Sequence, residues 1–168
     1  LGCSIAFRML FWNIGAEGQL IMGGIAASVV PLFLAGIVPS FLMLPLMALF
    51  GIIAGAVWGL IPAFLKASLK VNEILTTLMM NYIAIELVAY LYTGPWRDPT
   101  GFKYSAPFPE SAWLPRIWGR AHAGLFLAVA AAALLWFILA RTRRGFEIRV
   151  IGENPRAARY AGVSIRRN

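Results

Sequence analysis

The chain has 168 residues, 60% of them apolar and only 13% charged, with 15 Lys+Arg against 7 Asp+Glu and a mean hydropathy of +0.75. That balance excludes a disordered chain and most soluble enzymes, and the single cysteine, Cys3, excludes an internal disulfide framework. The charges are also segregated: Gly18 to Leu65 is a run of 48 residues without Asp, Glu, Lys or Arg, whereas a bilayer takes about 20 apolar residues per crossing.

Residue 1 is Leu inside an apolar stretch, LGCSIAF, with no basic region and cleavage site of a signal peptide. Leu1 to Trp12 reads as the remnant of a crossing, and the chain as a piece of a longer membrane protein. The next segment, WNIGAEGQ, sets Asn13, Glu17 and Gln19 between apolar stretches. Gly15 and Gly18 let its backbone unwind or approach another chain closely. At membrane depth such a break is tolerated only against protein or a watery cavity. Crossings are expected over Gln19–Val38 and Phe41–Leu65, joined by a hairpin at Gly36-Ile-Val-Pro39-Ser40. In the second, Gly51, Gly55 and Gly59 fall four apart on one helix face, a stripe that lets a neighbouring backbone come close.

A third crossing is expected over Glu73–Thr93. Thr77 and Asn81 share one face of it; Tyr82, Glu86 and Tyr90 share another. An ionised carboxylate at the depth of Glu86 costs about 2.5–3.5 kcal/mol on insertion scales, so it must pair, protonate or face water. Either a structural bond or a pathway-lining role satisfies that demand. The loop Gly94–His122 carries five prolines and three tryptophans, Trp96, Trp113 and Trp118, and reads as an interfacial segment lying on the outer surface. The fourth crossing is expected over Ala123–Ala140. Strict alternation is lacking in AVAAAALLWFILA, which argues against a β-barrel.

Eight arginines lie in Arg141–Asn168, and Lys66 and Lys70 lie in the loop before Asn72, against four basic residues in the 94–122 loop. The positive-inside rule places the tail and the 66–72 loop in the cytoplasm. A juxtamembrane position accounts for the basic tail more simply than nucleic-acid binding. Within it, Asn154 suits a helix N-cap, Pro155 the first helical position, and Gly162 a left-handed stop. The helix between them has about two turns and needs a partner surface to be stable. Arg156, Arg159 and Tyr160 offer residue types favoured at protein interfaces; anionic lipid is the other surface that suits them. The expected fold is all-α, a polytopic transmembrane bundle of four to five crossings, with residues 1–140 in the membrane region and 141–168 cytoplasmic.

Three stretches resemble one family. GENPRAARYAGVS, with Gly152, Asn154-Pro155, Ala157-Ala158 and Gly162, is similar to the cytoplasmic coupling loop of ABC-importer permeases for branched-chain amino acids, simple sugars and nucleosides. NIGAEGQLIMGG (13–24) and VNEILTTLMMNYIA (71–84) resemble two further segments of that group, in the right order. Their form is closest to permeases placed beside nucleoside-binding lipoproteins. The resemblance implies a plasma-membrane subunit that pairs with a second permease subunit and binds two cytoplasmic ATPases. It implies delivery of solute by an extracytoplasmic binding protein. Asn13, Glu17, Gln19, Thr77, Asn81 and Glu86 would then line a substrate pathway. Gly152, Asn154, Pro155, Arg156, Arg159, Tyr160 and Gly162 would couple to the ATPase, and Gly51, Gly55 and Gly59 would pack helices. The chain contains no Gly-x4-Gly-Lys-Ser/Thr phosphate loop, so no cofactor is expected on it; ATP and magnesium belong to the partner.

Two rival classes remain. A proton-coupled secondary transporter would use Glu17 or Glu86 as the proton carrier, but it leaves the capped tail helix unexplained. An intramembrane enzyme lacks support: His122 is the only histidine, Ser28, Ser40 and Ser68 have no base at recognisable spacing, and no metal cluster or nucleophile elbow is present.

Overall fold

A computed structural model describes residues 2–8, 11–99, 104–119, 121–154, 158, 160 and 162. Its helices are α1 (Gly2–Arg8), α2 (Ala16–Phe33), α3 (Ser40–Leu69), α4 (Glu73–Thr93), α5 (Gly124–Arg141) and α6 (Arg143–Glu153). A 3-10 turn spans Glu110–Ala112, and a small antiparallel ribbon joins β1 (Arg116–Trp118) to β2 (Ala121–His122). Four of the helices, α2, α3, α4 and α5, are long and apolar enough to cross a membrane. The chain divides into two compact units, Ile14–Leu114 and Leu1–Asn13 with Pro115–Asn168.

In the Ile14–Leu114 unit, α2, α3 and α4 run up, down and up. The first crossing differs from expectation at both ends: α2 occupies Ala16–Phe33 rather than 19–38. It starts early because Glu17 in its first turn suits the positive end of the helix dipole. It stops early because the chain turns over Leu34–Val38, where the Ile37 and Val38 amides both bond back to the Leu34 carbonyl. Hydropathy continues through that turn although the helix does not. The second crossing is longer than expected. It carries Pro45 and Pro62 within it and runs past Lys66 to Leu69, where Lys70 takes a left-handed conformation (φ 55°) and closes the helix. The expected 66–72 loop is thereby reduced to residues 70–72. Asn72 opens α4, its side chain accepting from the Ile74 and Leu75 amides. Lys66 forms an ion pair with Glu73 across this turn.

Val30 and Met43 are fully buried where α2 meets α3, and Ala112 packs beside them. Phe108 covers the same cluster, so the proline-rich loop folds back on the end of the α2–α3 hairpin. Trp113 stays exposed.

In the other unit, α1 is only seven residues long, too short to cross a bilayer, and Phe7 packs on Trp12 at 5.5 Å between ring centroids. Helix α5 ends at Arg141, and Thr142 starts α6 at once, its hydroxyl accepting from the Gly145 amide. Helix α6 departs from the expectation of a plain basic tail over 143–153. Its buried face is Gly145, Ile151 and Gly152, with Ile148 half-buried. Gly145 is needed for the close turn, since a Cβ there would lie 2.6 Å from the Leu139 Cα.

Candidate functional site

The polar residues of α4 and the break before α2 come together. Helix α2 has Gly15 at its N-cap, which offers no side-chain acceptor. The missing acceptor comes from another helix. Asn81 Oδ1 accepts from the Gly18 amide at 2.8 Å, while Asn81 Nδ2 donates to the Ile14 carbonyl at 2.9 Å. Thr77 Oγ1 accepts from the Ile14 amide at 3.3 Å and donates to the Glu73 carbonyl at 2.7 Å. Thr77 is fully buried and Asn81 is 6% exposed. Their hydrogen-bonding groups are therefore engaged with backbone.

Gly18 is required by this arrangement. A Cβ at that position would sit 2.8 Å from Asn81 Oδ1 and 3.2 Å from the Met80 carbonyl oxygen. Helices α2 and α4 run parallel, so Gly18 lies beside a point about 12 Å along α4 from its first residue, at 1.5 Å per residue. The first amides of α2 lie beside the interior of α4, a helix long and apolar enough to cross a membrane, and in such a span each open backbone group is costly. The Thr77–Asn81 pair removes that cost.

The other predicted pathway residues are distributed differently. Glu17 is exposed on the first turn of α2. Gln19 is half-buried and its side chain lies against Gly59 of α3. Asn13 belongs to the other unit and is half-buried. Glu86, Tyr82 and Tyr90 are exposed together along a second face of α4, away from Thr77, Asn81 and Ala84. Among the described residues no group of three or more His, Cys, Asp or Glu is placed to hold a metal ion.

The glycine stripe of α3 rests on α2. A Cβ at Gly51 would meet the Gly23 carbonyl oxygen at 3.3 Å, and one at Gly55 the Gln19 carbonyl oxygen at 3.2 Å. Gly59 makes room for the Gln19 side chain. Gly23 is the reciprocal glycine on α2, 3.0 Å from the Gly51 carbonyl by the same measure. Sequence reading picked out the α3 stripe but not this partner, although NIGAEGQLIMGG carries it in plain view.

Of the seven tail residues singled out, Pro155, Arg156 and Arg159 lie outside the described residues. Gly152 is buried at the end of α6. Asn154 leaves α6 in an extended conformation (φ −154°, ψ 100°), and its carbonyl accepts from the Ala158 amide at 3.0 Å. Ala158 is fully buried, Tyr160 is 92% exposed, and Gly162 adopts φ 77°.

The family described as the branched-chain amino acid transport system permease component matches residues 1–168, the whole of the sequence. The chain belongs to that family. Its four apolar helices make it a multi-pass membrane protein. It is 39% identical over its full length to the guanosine ABC transporter permease protein NupP of Bacillus subtilis, covering 49% of that protein. It is 42% identical over 91% of its length to the glucose ABC transporter permease protein TsgB13 of Haloferax volcanii, covering 43% of it. The nucleoside ABC transporter permease protein NupB of Lactococcus lactis is 30% identical over 99% of the chain and 49% of that relative. The chain thus spans about half the length of the curated relatives it matches. No solved structure gives a significant match.

Proposed function

We propose that the chain supplies the membrane-spanning part of a permease subunit in an ATP-driven importer, moving a small polar solute, a nucleoside or a simple sugar, by alternating access. The observation that carries this reading is the match to permeases over all 168 residues, and the curated relatives named for guanosine and glucose support the solute class. ATP is hydrolysed by separate cytoplasmic subunits, and solute arrives from an extracytoplasmic binding protein. A second permease subunit completes the pathway in the plasma membrane. The tail from Arg141 and the 70–72 turn face the cytoplasm, as the distribution of Lys and Arg supports.

Within the pathway, Asn13, Glu17, Gln19 and Glu86 are the polar side chains that meet solute or water, and Thr77 and Asn81 shape it by holding the backbone at Ile14 and Gly18. Beyond α6, the segment from Gly152 to Gly162 is the part that docks on the ATPase, with Asn154, Pro155, Arg156, Arg159 and Tyr160 supplying the contact. Approach of the two ATPases biases the permease between inward-open and outward-open packings through that segment.

The complete permease, reconstituted in vesicles with solute and binding protein, should accumulate solute only when the ATPase and ATP are present. Accumulation without the ATPase that collapses with a proton ionophore would show a secondary transporter instead. The paired substitution Arg159→Glu with Tyr160→Ala should lower co-purification of the ATPase while leaving membrane insertion intact; unchanged co-purification removes the docking role.

A further inference from the structure

A cleft of about 680 Å³ opens between the middle of α2 and the C-terminal end of α4, beyond the Thr77–Asn81 bonds in the direction of the following loop. Its volume falls within the range of about 300–1,000 Å³ common to small-molecule sites. Gly24 and Ser28 line it from α2, Tyr92 from α4, and Trp96, Tyr104 and Ser105 from the following loop; the rest of the wall is aliphatic.

The aromatic side is held in place by its own backbone. The Trp96 amide donates to the Leu91 carbonyl at 2.8 Å, and its ring stands edge-on to Phe33, with centroids 6.2 Å apart. The Tyr104 carbonyl accepts from the Asp98 amide at 2.9 Å, and Arg97 pairs with Ser105 across the same bend. Ser28 donates its hydroxyl hydrogen to the Gly24 carbonyl at 2.7 Å, which leaves its oxygen free to accept. Gly24 itself supports no packing: a Cβ built there meets nothing within 4 Å. Unlike Gly18 and Gly23, it lets no neighbouring element approach. What its missing side chain preserves is open space in the cleft.

No charged side chain is found among the described residues lining the cleft. A carboxylate or ammonium held against these residues would lose water without a counter-charge from any of them, at large cost. Flat aromatic faces with scattered hydroxyls suit the opposite kind of molecule, one with a ring to stack and neutral polar edges to bond. We infer that this cleft is a docking site for a neutral, hydroxyl-bearing ring compound on its way through the permease, one that discriminates against zwitterionic amino acids. The inference rests on the importer reading above and adds the place and the charge class of the solute.

The test uses the complete permease with its ATPase and binding protein in vesicles, and labelled guanosine, glucose and leucine as separate probes. Uptake of guanosine or glucose, with leucine excluded, is the expected outcome. Gly24→Phe, which puts bulk into the cleft from a position whose Cβ meets nothing within 4 Å, should raise the KM of the transported ring compound about tenfold or more. Trp96→Leu keeps apolar bulk but removes the flat face, and should raise KM about tenfold, with Trp96→Phe restoring most of it. Should Gly24→Phe fail to reach the membrane, the Trp96 pair decides alone. Unchanged KM in Gly24→Phe or in Trp96→Leu overturns the cleft as a solute site. Leucine uptake in preference to both ring compounds overturns the neutral-ring class while the importer reading stands. Absence of ATP-dependent uptake of all three probes overturns the importer reading, and the cleft's role falls with it.

Discussion

Replacing Asn81 with Leu isolates the contribution of the bonds between α4 and the start of α2. The substitution keeps side-chain bulk and removes both polar atoms, leaving the Gly18 amide and the Ile14 carbonyl without their partners at 2.8 and 2.9 Å. Each buried backbone group left open costs about 1–3 kcal/mol, while interhelical hydrogen bonds in membranes average nearer 0.6 kcal/mol because the separated helices find other partners. Two groups at the lower part of the first range give about 2–4 kcal/mol of local destabilisation. That corresponds to a rise of about 30- to 900-fold in the local opening equilibrium, at 1.36 kcal/mol per decade. Hydrogen exchange on the purified permease in detergent reads this directly, as faster exchange of the amides at residues 14–18. The α2–α3 contact at Gly23 and Gly51, far from the substitution, should keep its protection. Thr77→Val should give a smaller effect at Ile14 alone, because only one bond to the break is lost. Exchange at 14–18 unchanged in Asn81→Leu would refute the reasoning, and so would a uniform rise over all three helices.

Three further changes follow from the same geometry. Gly145→Ala puts a methyl group 2.6 Å from the Leu139 Cα, and should destabilise the α5–α6 corner by about 1–3 kcal/mol, seen as a lower melting temperature of the detergent-solubilised protein. Lys70→Gly removes the cost of a left-handed β-carbon at φ 55°, and should gain about 0.5–1 kcal/mol in the same melt. Glu73→Gln breaks the ion pair with Lys66, whose side chains are 16% and 37% exposed; the pair is partly solvated, so the loss should be no more than about 1 kcal/mol and should shrink at high salt.

Hydropathy located the four membrane helices, and the crossing expected over Glu73–Thr93 matches α4 at both ends; the Asn72 cap that sets its start is a local signal the sequence also carries. The ends of α2 and α3 were harder for one reason: apolar residues continue through the turn at Leu34–Val38, and the helix continues past the first lysine at Lys66. Helix α6 was overlooked because its stripe is built from glycines as much as from aliphatics. Gly145, Ile148, Ile151 and Gly152 recur at helical spacing, but a scan for large apolar residues passes over two of the four. The polar residues around the break could be singled out, and so could the shared face of Thr77 and Asn81. What no local pattern carries is that Asn81 meets residues 63 and 67 positions earlier in the chain. A lone asparagine in a membrane helix looks the same whether it faces a solute or a backbone. The difference lies in the glycine opposite it, whose spacing only the folded unit brings into register.

The distance in sequence between Asn81 and Gly18 also sets a timetable for biosynthesis. The amide of Gly18 waits 63 residues for its acceptor, about 3–13 s at 5–20 residues per second of translation. During that interval the opening turn of α2 is already made while the helix that completes it is still in the ribosome. Until α4 is made, the nascent α2–α3 hairpin carries the Gly18 amide without its native acceptor, and water or another polar group must serve in its place.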